Sequence, residues 1–135
     1  MKPFVTLRVA SGLSFLFALG HTLGARRSWS PVGDNEVLQA MRSVQFRVGG
    51  LSRSFLDFYL GFGFLLSVYL LLQAVLLWML AGLARSNPDA ARPFVLAFTA
   101  ASVAITVLSW RFLFPVPTVF AAVLAICIGL ALVGR

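Results

Sequence analysis

Residues 54–84 read SFLDFYLGFGFLLSVYLLLQAVLLWMLAGLA, an apolar run with one charged side chain, Asp57, near its start. About 20 apolar residues cross the roughly 30 Å hydrocarbon core of a bilayer as a helix. This run is longer than that, so it must tilt or begin as an interfacial helix before entering the bilayer. The spanning form is helical, because an open strand edge in lipid would leave backbone groups unpaired.

Three further stretches qualify on either side of it. The first covers about residues 4–25 and stops at Arg26-Arg27. The third is expected from Pro93, a good first-turn residue, to about Phe114. Pro115-Val-Pro117 cannot continue that helix, so a tight turn leads into a fourth span over about 116–133. The expected fold class is therefore all-α: a single domain, a four-helix transmembrane bundle over 1–135. The connection 26–53 is the capping loop.

Composition agrees. The 135 residues are 60% hydrophobic and 11% charged, with a mean hydropathy of +0.95. A soluble domain carries about 45–50% apolar and about 25% charged residues. Thirteen Phe and the sparse charge exclude a disordered chain, and a lone cysteine, Cys127, excludes a disulfide scaffold. The net charge of +7 comes almost wholly from arginine. Those arginines flank apolar runs instead of forming a stripe interleaved with aromatics, so they read as headgroup contacts and topology signals, not as a nucleic-acid surface.

The first 25 residues can also be read as a signal peptide, with Lys2 and Arg8 as its basic region. The apolar stretch outruns a normal signal core and carries a patterned polar face, which favours a retained span. With four spans, Lys2, Arg8, Arg85, Arg92 and Arg135 share one side and Arg26, Arg27, Arg42, Arg47, Arg53 and Arg111 the other. That near-balance leaves the basic residue at the N-terminus to set the expectation of cytoplasmic termini.

Only the 26–53 connection has room for structure, and loops of that length usually carry function. Ser28-Trp-Ser-Pro-Val-Gly33 is a turn-rich entry. Asp34 or Asn35 can cap a short surface helix in which Glu36 favours the first turn and Val37, Leu38 and Met41 share one side. Phe46, Val48 and Gly49-Gly50 lead back to the membrane.

Small and polar residues mark inward faces in lipid. In span one these are Ser11, Ser14, Ala18, His21 and Ala25, with Phe15, Leu16, Leu19 and Leu23 toward lipid and Gly20/Gly24 as a close-approach pair. In span two the expected face is Asp57, Gly61, Phe64, Val68, Leu71, Val75 and Trp78. Span three offers Ala97, Ala100, Ala104, Val107 and Arg111, and span four Ala121, Ala125 and Gly129.

Antiparallel threading brings the end of span one, the start of span two and the end of span three to one membrane face, beneath the long loop. His21, Asp57 and Arg111 are expected to converge there, with Arg53 one turn from Asp57. Tyr59 and Trp110 add polar tips, and the surrounding phenylalanines give an apolar wall. Ionisable groups at such depth are costly unless paired or wetted, and an apolar site with a few convergent polar groups suits a small molecule. The competing structural reading makes Asp57–Arg111 an interhelical clamp, with His21 bonded to a carbonyl. Gln73 reads as an interhelical hydrogen-bonding residue and Cys127 as inert packing. No metal cluster, nucleophile triad, phosphate loop or dinucleotide fingerprint is present, so no cofactor or metal is expected.

The segments Gly20-His-Thr-Leu-Gly24, Ala40-Met-Arg-Ser-Val44, Phe55-Leu-Asp-Phe-Tyr-Leu-Gly-Phe-Gly63 and Leu108-Ser-Trp-Arg-Phe-Leu-Phe-Pro-Val-Pro117 resemble a family of small bacterial four-helix membrane proteins. In length, span count and the Gly/His end of span one, the chain is also similar to DoxX-like proteins. The resemblance implies a four-span bundle in a bacterial cytoplasmic membrane, and the DoxX-like comparison implies membrane redox or quinone chemistry.

The function expected from these residues is binding of an apolar or amphipathic molecule (lipid, quinone or isoprenoid-like) at the loop-capped end, through His21, Asp57, Arg111, Arg53, Tyr59 and Trp110. Two alternatives stand beside it. One is a non-enzymatic assembly subunit, self-associating or docked on a partner subunit. The other is a membrane isomerase or redox enzyme using His21 and Asp57 as an acid–base couple.

Overall fold

The computed structural model describes residues 2–134; Met1 and the basic Arg135 of the charge balance lie outside the described residues. Five helices and one hairpin follow in order: α1 (Pro3–Gly24), α2 (Glu36–Ser43), β1 (Gln45–Val48), β2 (Leu51–Ser54), α3 (Phe55–Ser86), α4 (Pro88–Phe112) and α5 (Pro115–Val133). Four of them are long and apolar enough to cross a membrane, so the chain is a small integral membrane protein. The chain divides into two compact units, Met1–Phe17 with Leu71–Arg135, and Ala18–Leu70.

In the first unit four helical segments pack around one core. α1 contributes Leu7 and Ala10, α3 contributes Leu77, Leu80, Ala81 and Ala84, α4 contributes Ala91 and Val95, and α5 contributes Leu124, Ile128 and Ala131. Alanines recur because lipid gives helices no hydrophobic reason to associate; close approach and interhelical hydrogen bonds supply the attraction. The Ser11 hydroxyl donates 2.7 Å to the Ala74 carbonyl. Arg8 lies 3.4 Å over the Trp78 ring and Arg85 lies 5.5 Å over Phe4. The pairs 4–85, 8–78 and 11–74 descend together, so α1 and α3 run antiparallel. Phe17 stacks on Phe120 at 4.8 Å. The expected four-helix bundle is borne out here.

The second unit holds the end of α1, the loop, and the first half of α3. Asn35 caps α2, its side chain accepting from the N–H groups of Val37 and Leu38. The short helix matches expectation; the hairpin after it does not follow from that reading. β1 and β2 pair antiparallel with Gln45 opposite Ser54 and Val48 opposite Leu51. Gly49 and Gly50 both take positive φ, 57° and 81°, the two-residue turn that matches strand twist. Phe46 anchors the hairpin against Phe55 and Phe58 at 5.1 and 6.0 Å.

Helix starts correct one boundary. α4 begins at Pro88, not Pro93, because the Asn87 side chain accepts from Ala90 N–H and Pro88 sits in the first turn, where its missing N–H leaves nothing unsatisfied. Pro93 is inside the helix, and the expected eight-residue connection shrinks to Asn87 alone.

The inward faces are right for α1 and shifted elsewhere. Ser11, Ser14 and Ala18 are buried, while Phe15, Leu16, Leu19 and Leu23 are exposed. On α3 one shielded seam runs through Leu56, Leu60, Gly63, Ser67, Leu70, Ala74, Leu77, Ala81 and Ala84, widened in its second half by Gln73, Leu80 and Leu83. Steps alternate four and three, the period of a left-handed coiled-coil seam. The expected set, Asp57 through Trp78, has this period but sits one residue too late and is exposed. On α4 the error is larger: Ala97, Ala100, Ala104, Val107 and Arg111 are all exposed, and Ala91, Val95, Ser102 and Ser109 are buried. On α5, Ala121, Leu124, Ile128 and Ala131 are buried, with Ala125 and Gly129 half-buried beside them.

Candidate functional site

The second unit is organised around Trp29. α1 ends in a 3-10 turn, Ala25–Arg27, after which Ser28 and Trp29 both adopt left-handed backbone, φ 51° and 50°. Their N–H groups donate to Ala25 O and Gly24 O, both at 2.9 Å, which closes the helix end. A non-glycine residue in that conformation costs roughly 1–2 kcal/mol, so two in succession must be held by their surroundings.

The indole holds them. Its Nε1–H donates 2.7 Å to the His21 carbonyl, and its ring lies against Gly63 of α3 and Gly24 of α1. A Cβ on Gly63 would overlap the six-membered ring, and one on Gly24 would stand 2.8 Å from Cδ1. Phe64 meets it edge-on at 5.1 Å, and the Tyr59 hydroxyl donates to the Trp29 carbonyl at 3.4 Å.

His21 lies beside this ring, centroids 5.3 Å apart. Its Nδ1 is 3.0 Å from the Ser67 hydroxyl, which itself donates to the Gly63 carbonyl. The Ser67 hydroxyl has one proton: when it goes to the Gly63 carbonyl, Nδ1–H donates to Ser67, and in the other tautomer Nδ1 accepts from it. The partner is a side-chain hydroxyl, not the carbonyl of the structural reading.

Asp57 has a different task. Its carboxylate accepts from Ser54 N–H at 2.8 Å, while Ser54 Oγ accepts from Asp57 N–H at 3.0 Å. This reciprocal capping box starts α3 and commits the carboxylate to its own helix end, with the Arg53 charge close enough to act on it. Ser67, the partner of His21, lies ten residues further along α3, about 15 Å at 1.5 Å per residue. The expected meeting of His21 with Asp57 is therefore not formed. Arg53 faces Phe46 across the hairpin and donates to the Ser52 carbonyl. Arg111 and Trp110 belong to the first unit. Both are exposed there, and the Arg111 guanidinium is 5.2 Å from the Phe112 ring.

Two adjoining cavities lie in the loop. An apolar groove of about 620 Å³ runs between Pro31, Val32, Val37, Leu38, Met41 and Tyr59, with Ser30, Asn35 and Glu36 as polar edges. A second cleft of about 530 Å³ shares Pro31, Val32 and Leu38 and is otherwise lined mainly by charged residues. Of the six residues selected from the sequence, Tyr59 alone lines either cavity. An aromatic residue in a turn reads as an interface anchor, so Trp29 does not stand out in the sequence, and neither does the glycine it packs on. The usable signal is that glycine's seam position on α3, which leaves room for a ring. Among the described residues no cluster of His, Cys, Asp and Glu is placed to hold a metal.

Compared with known proteins, the chain matches no family model, no curated protein and no solved structure.

Proposed function

We propose that this small integral membrane protein binds a single amphipathic molecule drawn from the bilayer, a lipid, quinone or isoprenoid-like compound, in the groove of its loop unit. The observation that carries the reading is the groove itself. Its roughly 620 Å³ falls within the range of small-molecule sites, about 300–1,000 Å³, and its walls are apolar with a few polar groups at the edge. Val37 is 68% exposed and Val32 76% exposed on a loop outside the spans, where apolar side chains gain from an apolar cover. Tyr59 supplies a hydroxyl at the groove wall, already oriented toward the Trp29 carbonyl.

The same reading takes the host to be a bacterial cytoplasmic membrane with both termini on the cytoplasmic side. The resemblance to small bacterial four-helix proteins and the basic start of the chain support it.

Native mass spectrometry of the protein extracted in mild detergent tests the reading. The wild type is expected to carry one amphiphile per chain, and Met41→Glu, which puts a charge on the groove wall, is expected to lose it. Retention of the same adduct by Met41→Glu at unchanged stoichiometry would overturn the assignment.

A further inference from the structure

The cleft that shares Pro31, Val32 and Leu38 with the groove carries Arg26, Arg27 and Arg42 on its walls against one acid, Asp34. Three positive groups less one negative leave it at +2. All three arginines are exposed, so the cleft attracts anions, and the planar guanidinium fork matches phosphate oxygens two at a time. We infer that this cleft receives the phosphate of an anionic lipid whose apolar chain lies in the adjoining groove. The inference rests on the amphiphile reading and adds the chemistry of the headgroup.

Three features support it. The two cavities have a common wall, so one molecule can place a charged end in one and a chain in the other. Arg26 and Arg27 follow directly on the last turn of α1, the level at which a spanning helix meets headgroups, where basic side chains favour anionic lipid. The loop backbone that carries them is fixed by the Trp29 wedge and its bonds to His21 and Gly24, so binding has the exposed side chains to order but not the chain beneath them.

The plainer alternative is that these arginines are ordinary charges at a span end, acting on the membrane as a whole. Arg47 and Arg92 carry the same charge but line neither cavity, and they separate the two cases.

The experiment measures binding of phosphatidic acid and of diacylglycerol with the same acyl chains to the detergent-solubilised full chain, with glycerol 3-phosphate as the free phosphate. The wild type is expected to prefer phosphatidic acid by about tenfold or more, as one or two charge-assisted hydrogen bonds give. Arg27→Gln/Arg42→Gln is expected to erase that preference while still binding diacylglycerol, which also shows the variant to be folded. Arg47→Gln/Arg92→Gln is expected to keep it. The inference is overturned if the preference survives in the cleft variant, or if the control variant loses it equally. It is also overturned if glycerol 3-phosphate binds as tightly as phosphatidic acid, which would make the cleft a site for soluble phosphate. Failure of the wild type to bind either lipid would overturn the amphiphile reading and the headgroup assignment together.

Discussion

The indole of Trp29 occupies the space that a side chain on Gly63 would fill, although the two residues are 34 positions apart. A loop residue is thereby keyed into a membrane helix, and the conformation of the loop depends on a hydrogen atom in α3. Replacing Gly63 with Ala forces the ring to move, a small-to-large change of the kind that typically costs about 1–3 kcal/mol. In a background with Trp78 and Trp110 changed to Phe, the emission of Trp29 is expected to shift red in Gly63→Ala. An unchanged spectrum and midpoint of unfolding would contradict the packing described.

Ser28 carries left-handed backbone without being glycine. Ser28→Gly is expected to stabilise the protein by up to about 1 kcal/mol in thermal or detergent unfolding, because glycine meets no steric penalty there. Ser28→Val is expected to destabilise it. Equal midpoints for the two variants would show that the turn does not hold that conformation.

Two serines on one face of α1 make opposite predictions. Ser11 donates to the Ala74 carbonyl, so Ser11→Ala is expected to lose about 1 kcal/mol. The Ser14 hydroxyl is buried and has no partner among the described residues. Ser14→Ala is therefore expected to be neutral or stabilising, since it removes an unsatisfied polar group of similar volume. Unfolding of the two single variants in the same detergent checks the sign.

The capping box at the start of α3 predicts that Ser54→Ala costs about 1 kcal/mol and that Asp57→Ala adds less in that background than alone, because the two side chains satisfy each other's N–H groups. Arg111→Ala is expected to leave the Asp57 effect unchanged. Additive losses from Ser54 and Asp57, with a dependence on Arg111, would restore the ion-pair reading.

How far the sequence was legible follows from which rule each feature obeys. The spans, the short helix capped at Asn35 and the polar face of α1 follow from local patterns of length, capping and small-residue spacing. The expected face of α3 lies one residue from the observed one because Gly61, Phe64 and Val68 have the same three-four spacing as Leu60, Gly63 and Ser67. Period alone does not select between adjacent faces; the density of Gly, Ser and Ala does. On α4, alanines sit on both sides of the helix, and the buried Ser102 and Ser109 were the better markers. The hairpin was signalled by Gly49-Gly50 between Phe46-Arg-Val48 and Leu51-Ser-Arg53, a turn pair between short alternating segments.

The candidate site was less legible. His21 and Tyr59 do meet a common neighbour, Trp29, but charged residues near span ends were expected to seek one another. Asp57 instead satisfies the backbone of its own helix, a local use of a carboxylate that outranks a distant partner. The basic cleft depends on residues 26–42 folding back on themselves, and no periodicity encodes that.

The most direct test of the central claim is to map where an amphiphile rests. A phospholipid bearing a photoactivatable group at the end of its acyl chain, supplied at one molecule per protein in detergent, is crosslinked and the labelled peptides are read by mass spectrometry. Binding in the groove places the label on residues 30–41 and on Tyr59. Label confined to exposed faces of the spanning helices, such as Phe15 and Leu16 of α1 or Phe94 of α4, with none on residues 30–41, would contradict it.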